Sequence, residues 1–232
     1  MTLRELLGDP AWLFELGFPI LPISDELIID KPERLQWELG DEYRTPAFHL
    51  LNSEKSVCKV SMAWSKQGFF VHAIIPTKDF TADFLNAKSS HPHAANLYFS
   101  LYMDTRWSPD VRRGTQYCHR FSCVCERPTA SQWLRGHGEL VALQRARSVP
   151  SAVHPKDIAV GALLRSFGYE MKIFLPTSVM TGFDPTEFQE VGVFYTFSDL
   201  KIGSQCMART HQSPYFEDPS VWCRGKLVQP AN

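Results

Sequence analysis

Between Leu97 and Ser198 the chain repeatedly alternates apolar and polar residues, and that period of two confines these runs to β-strands with one buried face. Leu97, Phe99, Leu101 and Met103 share one face of a strand whose other face carries Tyr98, Ser100, Tyr102 and Asp104. A strand from Tyr117 to Cys125 places His119, Phe121, Cys123 and Cys125 on one side. In the run from Tyr169 to Leu175, Tyr169, Met171, Ile173 and Leu175 point inward and Glu170 and Lys172 outward. Val191, Val193, Tyr195 and Phe197 alternate with Gly192, Phe194, Thr196 and Ser198 in the same way. Two hairpins are legible. One joins Val57–Trp64 to Gly68–Ile75 through Ser65-Lys66-Gln67-Gly68, and the other joins Ile158–Leu164 to Tyr169–Leu175 around Arg165-Ser166-Phe167-Gly168. Many strands at regular spacing predict an all-β, antiparallel β-sandwich with short peripheral helices.

The remaining segments punctuate this pattern. A chain of 232 residues with this apolar share fits a single domain over residues 1–232. Pro10, Pro19, Pro22 and Pro32 make residues 1–40 an extended segment expected to wrap over the domain, whose core would begin near Ser56. Thr2 and Glu5 have the spacing of a helix capping box, and a short helical turn is expected around Phe80 to Leu85. Residues 126–138 read as irregular, and residues 139–146 fit either an edge strand or a helical turn. Asp184 as cap with Pro185 at the first helical position predicts a short turn through Gln189.

Charge and composition exclude several function classes. The 24 basic and 25 acidic residues are scattered, which argues against a nucleic-acid footprint or an anionic membrane surface. No apolar run approaches the roughly 20 residues of a membrane helix. The first residues lack the basic start and apolar centre of a secretion signal, so a cytoplasmic location is expected. Six cysteines are too few for a disulfide scaffold. Cys118, Cys123 and Cys125, with His119, His91 and His93, form a conceivable soft-metal cluster, yet no Cys-x-x-Cys hook accompanies them, and buried free thiols are the favoured reading.

A run of motifs carries a family resemblance: Ala63-Trp64 in the first hairpin, Asp104-Thr105-Arg106 at a strand end, and the strand from Tyr169 to Pro176. Gly182-Phe183-Asp184-Pro185, the strand Val191 to Tyr195, and Asp218-Pro219-Ser220-Val221-Trp222 complete it. Together they resemble the family 9 carbohydrate-binding-module-like β-sandwich, related to DOMON-type domains, over roughly residues 20–228. Asp104-Thr105-Arg106 followed by Cys118-His119-Arg120-Phe121 is similar to a group of uncharacterised bacterial proteins of this fold. The resemblance implies a non-catalytic module that holds a saccharide against tryptophan, with calcium supporting its loops.

The residues themselves suggest where a sugar would sit. An apolar sugar face stacks on an aromatic ring while planar polar side chains pair with its hydroxyls. Trp107 is the leading ring, at the mouth of the polar loop from Trp107 to Gln116. Arg106 and Asp104 would supply donor and acceptor, and Tyr117 and His119 open the strand that returns from the loop. The competing structural reading makes Asp104 and Arg106 an ion pair, with His119 capping it and Trp107 folded over the core edge. Trp133, beside Arg135 and His137, is the second candidate ring, whereas Trp64 and Trp222 read as core.

Other classes have weaker support. An enzymatic site would need His119 to act on a nearby serine or cysteine, and Cys118 points to the opposite strand face. A metal or haem site would draw on Met103, Met171, Met180, Met207 and the histidines, but methionines at alternating strand positions are usually core filler. An intracellular protein-interaction role would use an exposed edge strand in residues 139–146.

Overall fold

The computed structural model describes residues 17–23, 32–47, 56–76, 96–128, 131–207 and 214–230. The capping box at Thr2 and Glu5, the helical turn at residues 80–85, and His91 and His93 lie outside the described residues. Twelve strands are described: β1 (Phe18–Pro22), β2 (Lys59–Ser65), β3 (Gly68–Pro76), β4 (Asn96–Asp104), β5 (Cys118–Glu126), β6 (Leu134–Arg135), β7 (His137–Leu140), β8 (Ala159–Arg165), β9 (Gly168–Pro176), β10 (Glu190–Asp199), β11 (Gly203–Cys206) and β12 (Cys223–Leu227).

They form two packed layers. The β9 sheet runs β6-β8-β9-β3-β2, and the β10 sheet runs β12-β10-β4-β5-β7, with β11 paired to β10 beside β12. β1 joins the layers by pairing in parallel with β12 through Phe18–Ile20 and with β2 through Leu21 and Pro22. At the far edge the chain crosses between layers at Gly136, whose N–H donates to Val160 O at 2.9 Å. A Cβ at Gly136 would lie 2.5 Å from Val124 O, so only glycine lets the two backbones meet there. The sheet path is therefore nearly closed.

The inward alternation holds throughout. Phe99, Leu101, Met103, Phe121, Cys123, Tyr169, Met171, Ile173, Val193, Tyr195 and Phe197 are essentially inaccessible between the layers. Trp64 and Trp222 join this core, and Trp222 Nε1 donates to Tyr215 O. Both hairpins have the expected partners, closing at Ser65–Gly68 and Arg165–Gly168. Gly68 must stay side-chain-free because a Cβ would come 2.1 Å from Leu175 O.

Four expectations need correction. The core does not begin near Ser56, because Phe18 and Ile20 of β1 are already inside it. Residues 126–138 are not wholly irregular, since β6 lies within them and β7 begins there. The sheet is not purely antiparallel, because β1 is parallel to both neighbours. Glu170 and Lys172 do point outward, yet both are fully buried. Residues 32–45 cross over them, and Leu35, Trp37, Leu39 and Tyr43 build a second apolar cluster with Phe70 and Phe174 outside the β9 sheet. Lys172 Nζ donates to Trp37 O, and Glu170 accepts from His72 and Arg165. Burial alone would raise the Glu170 carboxyl, but these hydrogen bonds and the Lys172 charge hold it down at about 2.

A second buried polar network ties the layers together from within. Arg127 binds both carboxylate oxygens of Asp199 at 2.7 Å, and Tyr169 Oη donates to the same group at 2.8 Å. The Asp199 carboxylate also accepts the N–H groups of Lys201 and Ile202.

Candidate functional site

At the end of β4 the chain turns through Asp104, Thr105 and Arg106, and three strand ends meet there. Asp104 lies on the outer face of the β10 sheet, opposite Gly192 on one side and Cys118 on the other. It is buried nonetheless, and its Oδ1 accepts from Arg106 N at 3.0 Å. Burial pushes its carboxyl up to about 6, against the lowering effect of the Arg106 and Ser108 backbone N–H groups.

Arg106 does not direct its guanidinium at that carboxylate. Its Cζ lies 4.3 Å from the Tyr117 ring centroid and 4.4 Å from that of Phe188, so the exposed guanidinium is held between two half-buried rings. The expected side-chain ion pair with Asp104 is thus replaced by a backbone hydrogen bond and an aromatic clamp. Gly182, at φ +78°, makes the clamp possible, since a Cβ there would come 2.6 Å from Tyr117 Cδ1. The neighbouring Asp184 carboxylate caps Thr186 N and Glu187 N, turning the chain so that Phe188 reaches Arg106. Phe188 is a residue of this site that sequence reasoning passed over, because no local pattern links it to Arg106.

Trp107 follows directly and is half-buried. Its ring fills the space above Gly192, where a Cβ would lie 2.9 Å from Trp107 Cε3 and 3.1 Å from Asp104 Cβ. The loop beyond it is anchored by Arg147 N donating to Gly114 O and Gln116 N donating to Ser148 Oγ.

His119 has a different position from the one expected of a ligand-binding group. It faces the interior, fully buried and stacked on Phe121. Its Nε2 accepts from Thr181 N at 2.9 Å, which leaves Nδ1 to donate to Tyr117 O at 2.9 Å. Burial lowers it to about 4, so it is a neutral clamp between β5 and the Thr181 turn. Thr105 reinforces the same joint by donating from Oγ1 to Thr181 O at 2.7 Å. With both ring nitrogens engaged by backbone, His119 has no lone pair to offer a substrate or Cys118.

Trp133 lies elsewhere. It precedes β6 and packs on the second apolar cluster outside the β9 sheet, whereas Trp107 lies on the outer face of the β10 sheet. Lys172 Nζ is 5.0 Å from its ring centroid and 5.5 Å from that of Trp37. The structure therefore brings Asp104, Arg106, Trp107 and Tyr117 together and separates Trp133 from them.

Among the described residues no group of three or more His, Cys, Asp or Glu side chains is placed to hold a metal ion. All six cysteines are buried and none is in a disulfide, and burial pushes the Cys118 and Cys125 thiols up to about 12. Met103, Met171, Met180 and Met207 are core residues. Among the described residues no helix is long and apolar enough to cross a membrane.

The fold has counterparts among solved structures. A family 9 carbohydrate-binding module from Caldicellulosiruptor kristjanssonii in complex with glucose superposes with a TM-score of 0.55 at 12% identity, covering 93% of this chain and 97% of the module. The fold is that of a family 9 carbohydrate-binding module. The cellotriose complex of a family 9 module from the same organism gives a TM-score of 0.53 at 13% identity, covering 93% and 99% of the two chains. No protein-family model and no curated protein matches the sequence. The family 9-like frame is thus shared across the chain while the side chains on it have diverged.

Proposed function

We propose that this chain is a non-catalytic carbohydrate-binding domain whose sugar-contacting surface is centred on Arg106, Trp107 and Tyr117. The observation that carries this reading is the juxtaposition of the half-buried Trp107 indole with an exposed guanidinium clamped between Tyr117 and Phe188. An indole offers the apolar platform for a sugar face, and a pre-oriented guanidinium offers donors for its hydroxyls with little side-chain entropy left to lose. Two solved structures that share the fold are complexes with glucose and cellotriose, which favours saccharide as the ligand class. Asp104 acts from below, accepting the Arg106 N–H and fixing the turn that presents both side chains. The engagement of both His119 nitrogens supports a binding role over a catalytic one.

The test is a glycan array followed by titration with glucose and cellotriose, with and without calcium, on the native chain and on Trp107→Ala. Binding that Trp107→Ala abolishes with little change in thermal stability supports the reading. A blank array with folded protein overturns it and turns attention to protein partners at the β7 edge.

A further inference from the structure

On the opposite side of the sandwich, residues 33–36 run past the crossover at Trp133 to His137 and line two open cavities of about 330 and 360 Å³. The two share Glu33, Leu35 and Arg135 as walls. Their floor is apolar, built from the buried Leu35 and Ile158 with Trp133 alongside. Among the described residues their rim is cationic, with exposed Arg34, Arg135 and Lys156 against the Glu33 carboxylate.

The groove is held in shape by its own surroundings. Leu35 adopts φ 58°, a left-handed conformation costly for a bulky residue, and such strain persists only where the surroundings enforce it. Pro32 O enforces it by accepting both Leu35 N and Trp37 Nε1 at 3.0 Å. The Leu35 side chain and the Trp133 ring both lie over Gly161, where a Cβ would come 2.8 Å from Leu35 Cδ1 and 3.3 Å from Trp133 Cε3. The buried Lys172 ammonium 5.0 Å from the Trp133 ring centroid fixes that ring in place.

We propose that this groove is a second ligand site and that its occupant is a saccharide bearing a carboxylate, a uronic acid or its oligomers. Each cavity falls in the size range of small-ligand sites, and an apolar floor beside an indole suits a sugar ring. The forked Arg135 guanidinium pairs a carboxylate in two parallel hydrogen bonds, and Lys156 and Arg34 add positive charge that a neutral sugar would not use. The saccharide part of the assignment rests on the function proposed above, whereas the anionic part rests on the groove's own charge.

The probe is digalacturonate, with its dimethyl ester as the uncharged equivalent, titrated calorimetrically into the full chain. The acid is expected to bind about tenfold or more tightly than the ester, the size of effect that one charge-assisted hydrogen bond confers. Arg135→Gln, a change at an exposed position, should reduce the acid to the level of the ester and leave cellotriose binding intact. Trp107→Ala should do the reverse. Equal binding of acid and ester, or indifference to Arg135→Gln, overturns the proposal. Displacement of the uronate by an equal concentration of inorganic phosphate also overturns it, by making the groove a general anion site. If cellotriose binds and digalacturonate does not, this inference fails alone; if neither binds, the carbohydrate reading fails with it.

Discussion

Trp107 occupies the space above Gly192 in which any other residue would place its side chain. Gly192 lies inside β10, paired with Asp104 on one flank and Arg224 on the other, so its backbone is ordinary and only its missing Cβ matters. Gly192→Ala should therefore displace the indole without distorting the strand. The expected outcome is a stability loss of about 1–3 kcal/mol from overpacking, together with weakened cellotriose binding. A variant that binds sugar normally would show that the ring above Gly192 takes no part in recognition.

Arg106 is expected to depend on its planar shape and not on its charge alone. Lysine keeps the charge but cannot lie flat between Tyr117 and Phe188. Arg106→Lys should lower sugar affinity about tenfold while changing stability by no more than about 1 kcal/mol, the scale of an exposed cation–π contact. Titration of the two proteins side by side checks this, and equal affinities would assign the clamp to structure only.

Asp104 and His119, on adjacent strands, place opposing slopes on stability between about pH 4 and 6.5. The His119 value is lowered to about 4, so the stability from its neutral ring is complete above the ordinary histidine range and is lost as pH falls through 4. The Asp104 value is raised to about 6, so its contribution is present below the ordinary carboxylate range and lost as pH rises through 6. Asp104→Asn removes the second slope and keeps an acceptor for Arg106 N. The variant should exceed the native chain by about 1–2 kcal/mol at pH 7, with the gain vanishing near pH 4. Denaturant melts across this range that differ by a constant amount would contradict the assignment.

The Arg127–Asp199 pair should behave as a joint that tolerates no single removal. Arg127→Leu leaves the Asp199 carboxylate buried with only Tyr169 Oη and two backbone N–H groups as partners in the hydrogen bonds described. Losing one member of a buried ion pair costs about 3–5 kcal/mol. Urea unfolding of Arg127→Leu measures it, and a loss under about 1 kcal/mol would mean that solvent reaches the carboxylate.

The sandwich was legible because strand alternation and the glycines of tight hairpins act between near neighbours in the chain. Met103, Phe121, Met171 and Tyr195 face inward as their spacing predicts. The site was legible only in part. Asp104, Arg106, Trp107 and Tyr117 meet because they flank one loop, but Phe188 reaches Arg106 from a distant turn that carries no signal for it. His119 reads as a polar residue near the loop, and only its inward face reveals the clamp onto Thr181.

By itself, then, the sequence determined which residues form strands, where the two hairpins turn and which strand faces are apolar, since these depend on periods and turn chemistry within short stretches. Tertiary structure decided what covers each outer face. Nothing local foretells that Trp37 will cross above Lys172, that β1 will join the two layers, or that Trp107 and Trp133 will stand on opposite sides. Those outcomes follow from long-range burial, in which a segment settles on whatever apolar surface and unpaired polar groups the completed sheets present to it.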